Sequence, residues 1–279
     1  MPATVAEACA ALADDPAGTI PVAGGTDLLV HWPERLEARD KTWLDLWHLE
    51  ELRGLHLTDD TLQLGALTTY WDLLRDSGVR SAFPLLAAAA RLVGAIQIQS
   101  RGTWAGNIAN ASPAADGVPA LMALDAVVVL ASVRGRREVP LDALYRGYKQ
   151  LDRHPDELIA AIRLPRREYT IQRFEKVGAR RAQAIAKVGL AVARSDAGWR
   201  VVASSVAPTV RRCRSIERWL EAEPRDTHAF RAAVAADIAP IDDLRSTASY
   251  RERVFREVLL GMLPEAGITP AGGDTPGSG

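Results

Sequence analysis

The first half of the chain alternates short apolar runs with turn residues. Thr4 and Glu7 have the spacing of a capping box ahead of an apolar stripe, which predicts a helix over residues 4–14. The stretch 97–110 is rich in Gly, Ser, Asn and Gln and is predicted to be a loop, and Asp116 is predicted to cap the helix that follows. The remaining apolar runs predict strands at 20–23, 42–46, 54–57, 62–64, 127–133, 137–139 and 158–164, and helices near 69–76, 82–92 and 117–124.

The pattern changes after residue 165. Residues 166–168 are polar and are predicted to form a linker. Strand-like runs at 171–177, 184–193 and 199–206 then precede helix-like runs near 210–221, 226–237 and 247–262. Strands followed by helices are typical of a separate α+β unit. We therefore expect one unit to end at residue 165 and a second to span 170–263, with a Gly- and Pro-rich disordered tail at 264–279.

The composition adds several exclusions. With 34 Lys and Arg against 35 Asp and Glu, the 279-residue chain has a net charge of -1 and no global attraction to nucleic acid or to an anionic membrane. Its two isolated cysteines, Cys9 and Cys213, are too few for an iron–sulfur cluster or a structural zinc, and its five histidines lack ligand spacing. We expect no metal site, so any redox chemistry must use an organic cofactor.

Neither an export signal nor a membrane span is expected from the pattern. The first residues are acidic and helical in period, where a signal peptide needs a basic start and an apolar run. The apolar stretch Leu85–Ile96 is shorter than the roughly 18 residues of a membrane span and contains Arg91. A cytoplasmic location is the expectation.

The first candidate site is the stretch 22–28, a strand followed by a glycine pair and a polar pair. Successive glycines, Gly24 and Gly25, let backbone N–H groups converge on an anion, and Thr26 adds a hydroxyl donor. The stretch matches neither the GxGxxG nor the Walker pattern. An ordinary strand–turn–helix corner therefore remains an alternative for these residues.

The second candidate site is the stretch 101–116, which is dense in small residues. It also contains neutral donors and acceptors at Thr103, Asn107, Asn110 and Ser112. Such a surface suits a ligand with a phosphate end and a polyhydroxyl chain, because hydroxyls need both donors and acceptors. Asp116 can accept from one of those hydroxyls. The alternative is a structural loop whose Asn and Ser side chains bond to their own backbone.

Together the two stretches resemble a known family. AGGTDLL at 23–29 and TWAGNIANASPAADGVPALMALDA at 103–126 are similar to the two flavin loops of the FAD-binding medium subunits of molybdenum hydroxylases, the xanthine dehydrogenase and carbon monoxide dehydrogenase type. GNIANASPAAD is the specific part, whereas AGGTDLL alone is weak. The resemblance covers most of the chain, because DELIAAIRLP at 156–165, FEKVGARRAQAIAKV at 174–188 and VAPTVRRCRSIERWL at 206–220 fall where the family has its domain end and C-terminal unit.

The resemblance implies a fold and a set of cofactor residues. The fold is of the p-cresol methylhydroxylase and vanillyl alcohol oxidase type, α+β, with two subdomains over about 1–52 and 53–165 clasping FAD, and a small C-terminal α+β domain. Carried over by position, the residues around the pyrophosphate are Val22, Ala23, Gly24, Gly25, Thr26, Asp27 and Leu28, with Thr103, Gly106 and Asn107 as the second half of the cradle. Those beside the ribityl chain and flavin are Ala109, Asn110 and Asp116, with Ile159 against the ring and Lys176 approaching from the C-terminal domain. A solvated lysine on a strand is the alternative for Lys176.

One departure from the family pattern concerns the second loop. The family often has TIGGN where this chain has Trp104 and Ala105. Alanine adds a Cβ where a glycine often lies, so a positive φ at this position would be costly. The departure bears on the shape of the loop rather than on the cofactor.

The function implied by the resemblance is electron transfer rather than substrate turnover on this chain. Non-covalent FAD would take electrons from [2Fe-2S] clusters of a small partner subunit, while a large partner subunit oxidises substrate at a molybdenum cofactor. The acceptor would be NAD+, dioxygen or a quinone-like carrier, and no catalytic side chain is expected here. Two alternatives remain: a self-sufficient flavin oxidase, and an assembly module without FAD, for which Ala105 is the only hint.

Overall fold

A computed structural model describes residues 1–30, 40–180, 183–222 and 226–264. The helices are α1 Val5–Asp14, α2 Thr26–Val30, α3 Tyr70–Arg75, α4 Ser77–Ala82, α5 Pro84–Arg91, α6 Ile96–Gln99, α7 Trp104–Asn110, α8 Gly117–Ala123, α9 Leu141–Leu144, α10 Arg214–Glu221, α11 Thr227–Asp237 and α12 Ala248–Met262. The strands are β1 Thr19–Val22, β2 Thr42–Asp45, β3 Leu55–Leu57, β4 Thr61–Gly65, β5 Val127–Ser132, β6 Gly135–Pro140, β7 Tyr145–Gly147, β8 Gln150–Leu151, β9 Leu158–Pro165, β10 Tyr169–Val177, β11 Val188–Ser195, β12 Gly198–Ser204 and β13 Arg211–Arg212.

The N-terminal region contains two sheets. Strands β1 and β2 form a parallel pair, and a five-stranded antiparallel sheet has the order β3-β4-β9-β5-β6. Strand β9 is buried along most of its length because α7 packs beside it and β4 and β5 flank it. The hairpin β7–β8 forms a separate two-stranded ribbon. The approach of Gly24, after β1, to the carbonyl of Arg101, before α7, brings the two candidate loops together.

The C-terminal region is an antiparallel meander of strands β10-β11-β12-β13 with three helices after it. Strand β11 shows why its sequence is almost continuously apolar. Leu190 and Val192 point into a core formed with Phe255 of α12, whereas Ala191 and Ala193 face the core of the N-terminal region. Because side chains alternate along a strand, one face carries large residues and the other carries small ones. The small face lets α8, whose seven residues are all buried, lie directly on β11 and β12.

The structure confirms most of the predicted elements and corrects two of them. The prediction of a loop over 97–110 is wrong, because α6 and α7 occupy most of it. Thr103 begins α7 by accepting a hydrogen bond from the Gly106 amide at 2.9 Å, and buried Trp104 and Ile108 hold the helix in place. Polar composition suggested a loop, but packing of one apolar face decided the conformation.

The predicted cap of α8 is also wrong. Asp116 has helical backbone angles and its side chain makes no capping hydrogen bond, because the carboxylate is engaged by Lys176 instead. The predicted strand at 184–193 begins later, at Val188. The predicted tail at 264–279 lies outside the described residues except for Pro264. Among the described residues, no helix combines the length and apolar character that crossing a membrane requires.

Candidate functional site

The first loop turns sharply between β1 and α2, and its two glycines are needed for different reasons. A Cβ on Gly24 would lie only 1.7 Å from the carbonyl oxygen of Arg101, so any side chain there would force the two loops apart. Gly25 has a φ of +73°, a backbone conformation that residues with a side chain rarely adopt. No atom lies within 4 Å of the position that a Cβ would take there. Gly24 therefore sets the contact between the loops, and Gly25 sets the turn and leaves room beside it.

The second loop is anchored to the connection between β4 and α3. Thr103 forms an antiparallel bridge with Thr69, and the Trp104 amide donates to the Thr68 carbonyl at 3.2 Å. The Trp104 ring is fully buried and packs on Tyr70 with ring centroids 4.6 Å apart. These contacts hold the start of α7 against the turn at Gly24.

A cavity of about 730 Å³ opens where the two loops meet, within the roughly 300–1,000 Å³ of typical small-molecule and cofactor sites. Thirteen of the fifteen residues carried over from the resemblance line it. They are Val22, Ala23, Gly24, Gly25, Thr26, Asp27, Leu28, Thr103, Gly106, Asn107, Ala109, Asn110 and Ile159. The structure therefore brings together two stretches about 80 residues apart, as Asn110 and Asp27 show by a 3.0 Å hydrogen bond with a sequence separation of 83.

The two carried-over residues outside the lining, Asp116 and Lys176, pair with each other. The Lys176 Nζ donates to Asp116 Oδ2 at 2.6 Å and to the carbonyl of Leu92 at 3.0 Å. The lysine and aspartate side chains are 6% and 14% exposed. Lys176 is thus a buried residue that joins the C-terminal sheet to α8, not a solvated lysine on a strand.

Burial sets the electrostatics beside the cavity. It raises the pKa of Asp116 from 3.8 to about 6, with the charge and hydrogen bond of Lys176 opposing the rise. Burial, followed by the charge of Asp116, raises the pKa of Tyr70 well above its ordinary value. A Cβ on Gly117 would lie 3.0 Å from Tyr70 Oη, so this hydroxyl is adjacent to the start of α8. A protonatable carboxyl and a neutral phenol therefore lie at one end of the site.

The polar atoms of the site fit a ligand with a phosphate end and hydroxyl groups. Within the described residues, buried Tyr70 Oη, Trp104 Nε1 and Asp116 Oδ1 have no hydrogen-bond partner. Buried polar groups usually have partners, and of these three residues Tyr70 lines the cavity, so its hydroxyl is placed to bond to a ligand or a water. The turn at Gly25 adds a concave backbone surface without side chains. Phosphate, hydroxyl and ring portions of FAD would each meet a suitable surface here.

Among the lining residues that were not predicted from the sequence, four have polar or charged side chains: Tyr70, Lys149, Arg153 and Glu157. The sequence around Tyr70 predicted a helix but gave no indication that Tyr70 lines a binding site. Lys149, Arg153 and Glu157 reach the cavity through the β7–β8 hairpin and the turn after it. Nothing in the local pattern indicates that this hairpin folds over loops that lie far from it in sequence, so only a long-range contact could have identified these residues.

The concern over Ala105 is not supported by the backbone. Ala105 is a buried residue within α7, and it is absent from the positions with positive φ. A helical alanine carries no left-handed strain, and alanine is the best helix former. The departure from TIGGN is therefore compatible with the observed loop, and the one hint of an FAD-less module has no structural support.

Comparisons with known proteins agree with this geometry. The sequence model of the FAD binding domain in molybdopterin dehydrogenase matches residues 1–167, and that of the CO dehydrogenase flavoprotein C-terminal domain matches residues 173–266. The chain is 31% identical over 282 residues to the xanthine dehydrogenase FAD-binding subunit of Escherichia coli O157:H7, covering 97% of this chain and 96% of that protein. It is 32% identical over 274 residues to the carbon monoxide dehydrogenase medium chain of Hydrogenophaga pseudoflava, covering 95% of each.

A solved structure shows the same fold. Carbon monoxide dehydrogenase from Hydrogenophaga pseudoflava, in a form that lacks the Mo-pyranopterin moiety of its molybdenum cofactor, aligns with a TM-score of 0.87 and 31% identity over 95% of each chain. The first family model covers the two loops and the second covers most of the C-terminal sheet, while both relatives and this structure align with at least 95% of the chain. The chain therefore belongs to the family of FAD-binding medium subunits of xanthine dehydrogenases and carbon monoxide dehydrogenases, which are oxidoreductases.

Proposed function

We propose that this chain is the electron-transfer subunit of a molybdenum hydroxylase. It would receive electrons from [2Fe-2S] clusters of a small partner subunit and deliver them to NAD+, dioxygen or a quinone-like acceptor. A large partner subunit would hold the molybdenum cofactor and the substrate. Membership of a family that includes xanthine and carbon monoxide dehydrogenases supports this role. When bound, FAD supplies the chemistry for converting single-electron transfer into two-electron transfer.

The observation that carries the proposal is the contact between Gly24 and the carbonyl of Arg101. It joins two loops from distant parts of the chain around one cavity, with room for a ligand beside Gly25. An ordinary structural corner would have no reason to leave a cavity of about 730 Å³ whose lining includes a buried hydroxyl, Tyr70 Oη, without a partner among the described residues. A dinucleotide cofactor accounts for both features.

Different residues of the site would bind different parts of FAD. Residues 22–28 with Thr103, Gly106 and Asn107 would hold the pyrophosphate through backbone N–H groups and hydroxyls. Ala109 and Asn110 would border the ribityl chain, and Ile159 the ring. These assignments are supported by the position of each residue on the cavity wall.

Asp116 and Lys176 would act at the flavin end without lining the cavity in this structure. Lys176 holds one carboxylate oxygen of Asp116 and leaves Oδ1 without a partner among the described residues. With a pKa of about 6, Asp116 would hold a proton in mild acid and accept a hydrogen bond at neutral pH. Both residues belong to the proposed site because Lys176 also donates to the carbonyl of Leu92, the neighbour of the lining residue Val93.

The same resemblance supports a two-domain organisation of the chain. Residues 1–165 would form the cofactor domain, with two subdomains clasping FAD as in the p-cresol methylhydroxylase type. Residues 170–263 would form the C-terminal domain that supplies Lys176. The family models, which match 1–167 and 173–266, are in keeping with this division.

A titration of the flavin-free full chain with FAD tests the proposal. The wild-type chain should bind one FAD, released again by acid, whereas Gly24→Ala should weaken binding at least about a hundredfold, because its Cβ would overlap the Arg101 carbonyl. Gly261→Ala is the matched control, since the Cβ position of Gly261 in α12 has nothing within 4 Å. A folded wild-type chain without affinity for FAD would end the proposal.

Co-purification tests the partner subunits. Expression with its neighbouring reading frames should yield a complex that contains a molybdopterin-binding chain and a chain with cluster cysteines. Recovery of the chain alone, with turnover of a small alcohol or amine, would instead indicate a self-sufficient oxidase. That result would overturn the electron-transfer role while leaving FAD binding intact.

A further inference from the structure

A lysine at the tip of the β7–β8 hairpin lies over the cavity. Tyr148 and Lys149 connect Tyr145–Gly147 with Gln150–Leu151, and Lys149 lines the cavity wall. Its backbone has a φ of +53°, in the left-handed region that non-glycine residues rarely occupy. Such strain is often found at ligand sites, where the surrounding fold holds the residue in place. A glycine would be easier to accommodate in this turn, so the lysine side chain is the feature to explain.

The ammonium group of Lys149 is only loosely engaged. Its Nζ donates to Asn110 Oδ1 at 3.3 Å, and Asn110 Nδ2 in turn donates to Asp27 Oδ1 at 3.0 Å. Within the described ranges, no carboxylate lies close enough to Lys149 for an ion pair. A lysine has three donors, so at least two remain for a ligand in the cavity. The chain of contacts ends on the two loops proposed to hold the pyrophosphate.

The charges of the cavity show what this lysine can do. The described lining residues include two cations, Lys149 and Arg153. The Arg153 guanidinium donates to the backbone carbonyls of His154 and Glu157, so it is already engaged. The described lining also includes two acidic residues: Glu157, which pairs with Arg137, and Asp27, which opposes a bound anion. Among the described lining residues, Lys149 is therefore the cation with donors left for a diphosphate.

We propose that Lys149 binds the diphosphate of the dinucleotide cofactor and closes the cavity over it from the hairpin side. This inference rests on the proposed function and adds one residue to it. The Nζ would exchange its 3.3 Å contact with Asn110 for a charge-assisted hydrogen bond to a phosphate oxygen. Asn110 would then be released to bond to a hydroxyl of the ligand.

The test compares ligands with and without phosphate on the flavin-free full chain. Lys149→Met should raise the Kd for FAD and for ADP about tenfold, and should change the Kd for riboflavin by less than about twofold. Lys149→Arg should keep the FAD affinity within about threefold, because it keeps the positive charge. The dependence of the FAD Kd on salt should also be weaker in Lys149→Met than in the wild-type chain.

Arg146→Met is the matched control. Arg146 lies in the same hairpin, but its side chain is exposed and pairs with Asp152 at 2.9 Å, so FAD affinity should be unchanged. Lys149→Met keeps a Cβ and the same backbone strain, so the hairpin should remain folded. Failure of the wild-type chain to bind FAD would count against the proposed function itself.

Three results would overturn the role of Lys149 while FAD binding stands. One is equal FAD affinity in Lys149→Met and the wild-type chain. Another is an equal loss of riboflavin affinity, which would assign Lys149 to the flavin end or to folding. The third is a loss confined to NAD+ binding on the FAD-loaded chain, which would assign Lys149 to the diphosphate of an external acceptor.

Discussion

Two carboxylates flank α8, and both form ion pairs with residues of the C-terminal region. They differ in the number of cations they face. Asp116 precedes the helix and pairs with one lysine, Lys176, in a buried setting. Asp125 follows the helix and faces three arginines, with N···O distances of 2.9 Å to Arg167, 2.7 Å to Arg200 and 3.6 Å to Arg212. The Asp125 side chain is 23% exposed, against 14% for Asp116.

The two carboxylates therefore differ in how well their negative charge is compensated. At Asp125 both carboxylate oxygens bond to guanidinium groups, so its charge is amply compensated. At Asp116 burial outweighs a single cation, one oxygen lacks a partner among the described residues, and the pKa rises to about 6. The sensitive carboxylate lies beside the cavity, and the compensated one lies away from it.

The largest effect is expected from removing the cation of the buried pair. Lys176→Met would leave Asp116 buried without its cation, and we expect the free energy of unfolding to fall by about 4 kcal/mol at pH 8. Urea unfolding of the flavin-free chain measures this change. Lys41→Met serves as the control, because partly exposed Lys41 contacts only the Ala17 carbonyl in the described structure. A loss below about 1 kcal/mol would contradict the importance of the buried pair.

A pH series would sharpen the contrast further. The pKa of Asp116 is raised from 3.8 to about 6, so between these values the folded chain holds a proton that the unfolded chain has released. The stability contributed by Asp116 is therefore present below pH 4 and is lost as the pH rises through 6, by up to about 3 kcal/mol. Asp116→Asn cannot lose this proton, so its stability relative to the wild type should rise with pH. Parallel profiles from pH 4.5 to 7.5 would show that Asp116 does not titrate in this range.

Removing the compensated carboxylate should have a smaller effect. Asp125→Asn keeps the shape of the side chain and suits the φ of +52° at this position, but leaves Arg167 and Arg200 without their carboxylate. We expect a loss of about 2 kcal/mol, since these arginines are partly solvated and Arg212 keeps its bonds to Glu217. The same urea assay applies. A loss as large as that of Lys176→Met would remove the distinction between the two contacts.

The smallest effect is expected at an exposed ion pair. Asp152→Asn would break the ion pair with Arg146. The Arg146 side chain is 64% exposed and the Asp152 side chain 40% exposed. Exposed pairs contribute little, so the unfolding free energy should change by less than about 0.5 kcal/mol. A change above 1 kcal/mol would show that the hairpin depends on this pair, and would weaken its use as a control region for Lys149.

The sequence predicted the elements well where one local pattern dominated. The N-cap at Thr4 and the apolar stripe of α1 were predicted correctly, as were the hairpins β3–β4 and β5–β6, although the Glu7 carboxylate accepts from the Ala3 amide and so does not complete the capping box. Prediction was wrong where packing overrode composition. α7 is helical because Trp104 and Ile108 are buried on one face, although its Asn and Gly residues suggested a loop.

The candidate site was predictable in its loops but not in its surroundings. Thirteen of the fifteen carried-over residues lie on one cavity wall. No local pattern in the sequence predicted the buried pair of Asp116 and Lys176. None predicted that Lys149 lies over the loops. Both depend on contacts across 60 and 39 residues of sequence. Periodicity reports only on neighbours a few positions apart.

By itself, the sequence determined that the first loop contains a glycine pair suited to a tight turn and that the second is dense in small and neutral polar residues. Only the tertiary structure decided that the carbonyl of Arg101 lies against Gly24, that one lysine is buried on Asp116, and that another lies above the cavity. The physical reason is that backbone freedom and side-chain chemistry are properties of single residues. Burial and charge compensation instead depend on which distant elements the fold places together.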